Sequence, residues 1–451
     1  MTADLAIYCK KTLLPEGLSD VSVLISEGKI SGIVEGKAGK EMAKKIESAG
    51  ESVLMPGLID CHVHINEPGR TDWEGFETAT KAAAAGGVTT LIDMPLNSSP
   101  VTTSTKNLKA KLEASAGKLF VNCGFWGGIV PDNEKELEPL AKDGVFGFKV
   151  FLTHSGIDEF PNTTLKHLEK IASLLSKLDI PLLVHAELDV PGPGIQELRK
   201  NPHSYLAYLH SRPASWEDKA IEAIIQLCEK HKVRSHIVHL SSSNALQMIS
   251  EAKAKGLPLS VETCPHYLYF NAEEIPDADT RFKCAPPIRE KENNEKLWNA
   301  LAEGLIDFVV TDHSPAPPEM KELFTGNLLD AWGGIASIQF SLPIMWSLAE
   351  KNNKYVKDIN QWMSRGVAEF LGLHQKGEIK VGNDADLVIW NPHKKMKVTK
   401  PLIKYKHPVS PYEGLLLSGL VEKTYVGGAL VYDKGSFVSS PPGKILLRNN
   451  D

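Results

Sequence analysis

The pattern of apolar and polar positions along this chain changes twice. Residues 1–55 hold short alternating runs, Leu5-Ala6-Ile7-Tyr8, Val21-Ser22-Val23-Leu24-Ile25 and Ile30-Ser31-Gly32-Ile33-Val34, with no helical period between them. Ser26-Glu27-Gly28-Lys29 separates the last two and predicts a hairpin turn. From residue 57 the pattern becomes apolar run, loop, amphipathic stretch, repeated. It predicts strands at 58–63, 88–93, 120–126, 145–151, 181–185, 234–240, 257–262 and 306–311. Helices are predicted at 74–85, 102–116, 163–178, 215–232, 243–255 and 290–303, with helical sequence continuing to about 374. After that, 377–382, 385–390 and 421–434 alternate like strands again.

Strands alternating with helices in this number predict an α/β fold, a (β/α)8 barrel. A doubly wound sheet is the rival, but no Gly-rich phosphate turn follows the first strand. Residues 1–55 are too few to enclose a core. Residues 1–55 and 377–451 are therefore expected to build one small β-sandwich beside a barrel of residues 56–376.

Composition narrows the function. A chain of 451 residues, 42% hydrophobic and 24% charged, fits a globular protein. Its net charge of -6 gives no basic footprint, so nucleic acid is not expected as a partner. No apolar stretch is suited to a membrane and no leader pattern opens the sequence, so an intracellular protein is expected, with cytoplasm, peroxisome and mitochondrion all open. The six cysteines, with no CxxC pair, suit a reducing compartment and argue against a cysteine zinc site.

Catalytic groups in such a barrel come from the C-terminal ends of its strands. The first run closes on His62-Val63-His64; residues two apart in a strand share a face, so the pair can grip one metal ion. The fifth run closes on His185, the sixth on His239, the eighth on Asp312. The fourth places Lys149 inside Phe146-Gly147-Phe148-Lys149-Val150-Phe151. Burial favours a neutral amine, which can take up carbon dioxide to become a carbamate able to bridge two metal ions. A lysine paired with an acid across the barrel is the alternative. His313 is expected to point away from Asp312, and His236 to sit off the face that carries His239. Glu187 and Glu262 either orient histidines or form plain salt bridges.

These motifs resemble those of the cyclic amidohydrolases, the group containing dihydroorotases, hydantoinases and allantoinases, over essentially the whole chain. The stretch 56–64 and Gly382-Asn383-Asp384-Ala385-Asp386-Leu387 carry the general likeness. Asn66-Glu67-Pro68-Gly69-Arg70, Thr263-Cys264-Pro265-His266-Tyr267-Leu268, Lys283-Cys284-Ala285-Pro286-Pro287-Ile288-Arg289, Asp312-His313-Ser314-Pro315-Ala316-Pro317 and Trp332-Gly333-Gly334-Ile335-Ala336-Ser337 resemble the allantoinase branch.

The resemblance implies a binuclear zinc centre. His62, His64, Lys149 and Asp312 would surround one metal, and carboxylated Lys149, His185 and His239 the other. Asp312 would carry the proton during hydrolysis of allantoin, a small cyclic ureide, to allantoate. A homotetramer is also implied. Asn66 stands where dihydroorotases typically have arginine, which suits an uncharged ring, although Arg70 could still supply a cation. Asn97 either bonds ligand or caps a turn, the backbone at Ala285 could hold imide edges, and Ser314 is a substrate contact or an ordinary turn hydroxyl. Hydantoinase, dihydropyrimidinase and dihydroorotase activities stay open, as do a non-catalytic scaffold and a mononuclear deaminase, though the full ligand set speaks against the scaffold and Lys149 against the deaminase.

Overall fold

The computed structural model describes residues 2–190 and 192–448. Its barrel strands are β1 (Leu58–Val63), β2 (Val88–Asp93), β3 (Asn122–Phe125), β4 (Phe148–Phe151), β5 (Leu182–His185), β6 (Ser235–Ile237), β7 (Leu259–Thr263) and β8 (Phe308–Val309). β1 to β3 pair in parallel, as do β4 to β8. The ring closes where Phe146 N donates to Phe125 O at 3.0 Å and where His64 N donates to His313 O at 2.8 Å, extending a Val63–His313 bridge. Almost every strand residue is buried because helices cover the outer face and side chains fill the inner one. That is why the strands read as continuous apolar runs.

The predicted helices lie at Phe76–Ala85, Thr105–Ser115, Leu165–Leu178, Ala214–His231, Leu246–Ala254 and Lys291–Ala302. Ser104 and Thr164 cap two of them, their hydroxyls accepting from Asn107 N and His167 N. Four more helices among the described residues were not anticipated, one of them the short Pro265–Tyr269. Glu134–Lys142 contains Pro139 and buries only Leu137, Leu140 and Ala141, too few positions for a period to show. Gly194–Lys200 and Tyr205–Ser211 form an insertion after β5.

Strands from both chain ends join one nine-stranded sheet. Val53–Pro56 is the seam, paired with Ala3–Leu14 on one side and Leu387–Lys397 on the other. The sheet folds back on itself, so that Leu5, Ile25, Leu387, Ile389 and Tyr425 share one apolar cluster. A side chain on Gly428 would come within 2.6 Å of Ile25, so the approach requires glycine. The 26–29 turn forms as expected, with Glu27 and Gly28 both left-handed at φ 52° and 80°. Residues 377–382 are not a strand. Gly377 and Gly382 turn the chain at φ 83° and 96°, and Gly382 N donates to Ile30 O. The last described segment runs back along β3, with Cys123 N donating to Lys444 O and Leu446 N to Cys123 O, each at 2.9 Å.

Candidate metal centre

β1 delivers His62 and, just past its end, His64; the chain leaving β8 delivers Asp312. The Oδ1 atom of Asp312 lies 3.3 Å from His62 Nε2 and 3.4 Å from His64 Nε2, and all three residues are buried. Neighbouring strands bring a second group beside the first. His185 Nδ1 and His239 Nε2 are 2.9 Å apart, and the His239 ring centroid is 5.4 Å from that of His62.

Lys149 on β4 is fully buried and its Nζ has no hydrogen-bond partner. Burial lowers its pKa to about 8 against the attraction of Asp312 and Glu262. An orphaned buried amine is costly as it stands, and a carbamate ligated on both oxygens removes the cost. The donor set fits a metal pair: borderline nitrogen donors, one carboxylate and one amine open to modification.

The outward nitrogens of His62, His64 and His185 are also held, whereas His239 Nδ1 is buried without a partner. His62 Nδ1 meets Glu262, whose other oxygen lies 3.0 Å from His236 Nε2; His236 Nδ1 in turn sits 2.8 Å from Ser260 Oγ. Burial raises Glu262 to about 8 and lowers His236 to about 3, so this chain runs through an apolar interior. His185 Nε2 is 2.7 Å from Glu187, which Arg212 grips through Nε and Nη2. Burial works against the Glu187 charge, but Arg212 and His185 hold its carboxyl well below the usual range. His64 Nδ1 is 3.2 Å from the Asn97 amide, whose oxygen is buried and unpartnered. Turning that amide over lets it accept the Nδ1 proton. Each contact fixes which nitrogen faces the centre. Asp60 braces β1 to the end of β8, accepting from His62 N at 3.1 Å and from Thr311 Oγ1 at 2.6 Å.

Four residues of the region have left-handed backbone: Asn66 and Asn97 at φ 68°, His239 at 42° and Asp312 at 46°. Such conformations concentrate where function fixes a side chain's aim.

A cavity of about 1160 Å³ opens over the centre, lined among others by His62, His64, Asn97, Lys149, His185, His239, Ala285, Asp312 and Ser314. Every residue of the expected ligand set therefore reaches one space. Asn66 does not line it; its amide donates to Pro315 O at 3.3 Å. Arg70 is not free to pair with a substrate carboxylate. It donates to Asn97 O, Ser98 O and Glu159 at 3.2, 3.3 and 2.5 Å. His313 turns away from the centre, its Nδ1 accepting from Ser337 N at 3.0 Å. Trp332 reaches the cavity wall, edge-on to Trp73. Sequence reasoning missed the brace at Asp60, although Asp60 stands inside the 56–64 motif.

A family description reading "Amidohydrolase family" matches residues 53–431. An allantoinase of Arabidopsis thaliana is 47% identical, with 98% of this chain and 90% of that protein covered. An allantoinase of Streptomyces avermitilis is 44% identical, with 99% of each covered. Among solved structures, an L-hydantoinase (dihydropyrimidinase) from Arthrobacter aurescens superposes with a TM-score of 0.93 at 28% identity, covering 99% of this chain and 100% of that one.

Proposed function

The chain belongs to the amidohydrolase family, and we propose that it opens the cyclic amide of allantoin to allantoate at a binuclear zinc centre bridged by carboxylated Lys149. The cyclic-amide hydrolase activity follows from the family and its allantoinase relatives. The observation that carries the binuclear reading is the unpartnered Nζ of Lys149 beside two groups of converging imidazoles. His62, His64 and Asp312 would hold one ion and His185 and His239 the other, with the modified Lys149 shared between them.

A metal pair bound there supplies Lewis acidity, bringing the pKa of water near neutrality and polarising a carbonyl. The protein's own contributions are positional. Glu262, Glu187 and Asn97 hold the imidazoles so that the ring does not meet mobile ligands. Asp312 takes the proton of the attacking water and returns it to the ring nitrogen as the C–N bond breaks. Asp312 sits 8% exposed at the cavity wall, where a substrate can reach it. Ala285 and Ser314 are placed on the same wall to meet the ring's polar edges.

With Arg70 committed elsewhere, an uncharged ring is favoured over a carboxylated one near the Asn97 end of the cavity. Hydantoinase activity is the second reading, favoured by the close superposition on an L-hydantoinase; the higher identity to the plant allantoinase decides against it. A homotetramer is the assembly we expect, tested by light scattering. The test of function is ring opening of allantoin, dihydroorotate and dihydrouracil side by side by zinc-loaded, bicarbonate-treated protein, with a metal-stripped control. Metal-dependent turnover of allantoin alone is expected; turnover of another ring instead would overturn the substrate assignment.

A further inference from the structure

Two buried lysines beside the cavity have no ion-pair partner among the described residues and hydrogen-bond to backbone carbonyls, and the Lys283 ammonium also lies 5.5 Å from the Tyr208 ring centroid. Lys321, 3% exposed, donates to Lys283 O at 3.2 Å, Trp332 O at 2.9 Å and Gly334 O at 2.9 Å. Lys283, 9% exposed, donates to Leu329 O at 3.2 Å and to Ala331 O. These carbonyls belong to two segments distant in sequence, one around 283 and one spanning 329–334.

Both segments face the cavity through Ala285, Trp332 and Gly333. Trp332 Nε1 also donates to Ser314 O at 3.3 Å, and Ser314 N to Ile335 O at 2.9 Å, so Ser314 belongs to the same wall. Carbonyl oxygens gathered around one point repel each other unless a cation lies between them. The ammonium of lysine, a compact charge with three donors on a flexible stem, fills that role as a monovalent cation would. Burial works against both charges, lowering Lys321 to about 7 and Lys283 to about 8, with Asp279 and Asp330 pulling weakly the other way.

We infer that Lys321, assisted by Lys283, is the positioning residue of the substrate-facing wall: it locks the segment around 283 to 329–334 so that Ala285, Ser314 and Gly333 present one fixed surface to the ring. This rests on the ring-opening activity proposed above. Neither lysine is placed to touch the metal ligands, so the effect of losing one falls on how the ring is held. Wall contacts that bind ground state and transition state alike raise KM when lost, leaving kcat in place.

The test compares Lys321→Met, Lys321→Ala and Lys283→Met in the metal-loaded full chain. KM is expected to rise about tenfold in Lys321→Met with kcat within about threefold of wild type, and bound metal unchanged. In Lys321→Ala, methylammonium chloride, but not sodium chloride at equal ionic strength, restores part of the KM. If Lys321→Met does not fold, Lys283→Met is read by the same split. KM near the wild-type value in the variants that fold, or KM, kcat and metal content failing together, overturns the inference. Should the wild type not open allantoin, calorimetric binding of hydantoin to wild type and variants reads the wall independently: weaker binding in the variants supports it, equal binding overturns it.

Discussion

The backbone between His64 and Asn66 hangs on one buried ion pair, and removing the cation measures how firmly it is held. Asp93, at the end of β2, accepts from Ile65 N at 2.8 Å through one oxygen and from Lys111 Nζ at 2.5 Å through the other. Both side chains are 1% exposed, and Lys111 also donates to Met94 O at 3.1 Å. Burial raises the Asp93 pKa, and Lys111, ahead of the Ile65 N–H bond and His64, opposes the rise.

Lys111→Met keeps the apolar stem and deletes the charge. Leaving one member of a buried pair alone costs about 3–5 kcal/mol. Unfolding entropy near 2 cal/mol/K per residue, over a chain of this length, comes to about 0.9 kcal/mol/K. The melting temperature should therefore fall by roughly 3–5 °C if the chain unfolds as one unit. The double variant Asp93→Asn/Lys111→Met keeps an oxygen for Ile65 N and leaves no unpaired charge, so it should recover at least half of the loss. The assay is a calorimetric melt of wild type, Lys111→Met, Asp93→Asn and the double variant, with metal release to a chelator as a second reading on the His64 segment. A single variant melting within about 1 °C of wild type, or a double variant losing the sum of the two single losses, would refute the reasoning.

Other expectations follow from the same geometry. Asp312→Asn should lower kcat by about 10²–10⁴-fold with little change in melting temperature; wild-type rates would remove its proton-transfer role. Glu187→Gln releases the His185 ring, and metal affinity in a chelator competition should fall about 10–100-fold, whereas unchanged affinity would reduce the Arg212 pairing to a stabilising contact. Lys149→Met should hold less metal per chain by elemental analysis and lose any stimulation by bicarbonate; an undiminished metal count would exclude the carbamate bridge. Burial works against the Glu47 charge, but Lys423, Lys45 and Tyr425 bring its pKa down to about 2 from an ordinary 4.5. A depressed folded-state pKa adds stability that is present above the unfolded value and lost as pH falls through the folded one, so melts from about pH 6 down to about pH 3 should decline less steeply in Glu47→Gln.

The barrel and the polar residues that meet at one end of it were legible because parallel strands buried on both faces read as apolar runs, and a polar residue closing such a run stands out. His62, Lys149, His185 and Asp312 were all visible in that way. The alternation rule also separated His239 from His236, which lies inside the core against Glu262. The rule fails three residues past a strand. Asn66 continues the spacing of His62 and His64, but its left-handed backbone rotates the amide onto Pro315 O. The destination of Arg70 was equally hidden, because its partners Asn97, Ser98 and Glu159 lie on other loops. The carbonyls around Lys321 leave no trace in side-chain identity at all.

The two halves of the centre are braced by different means, which bears on how the site is built. His62, His64 and Asp312 lean on groups inside the barrel: Glu262 and Asp60 between strands, and Asn97 at a strand end. His185 leans on Glu187 and Arg212, and from Arg212 O the path continues to Arg289 Nη1 at 3.4 Å, Glu217 at 3.2 Å and Ser241 N at 2.7 Å, two residues beyond His239. The second half is thus held by alternating charges that end at the wall of the cavity, where the Arg212 side chain is 23% exposed. Glu187 and Glu217 are as buried as Glu262, so neither set of contacts is opened to solvent along its length. Glu262 also accepts from His239 N at 3.4 Å and so touches both groups, whereas the His185 contact depends on Arg212, which directly follows the insertion after β5. Lys149, with its unpartnered Nζ, is buried at the same cavity as both groups, so under the binuclear proposal a shared ligand there would tie one set of contacts to the other.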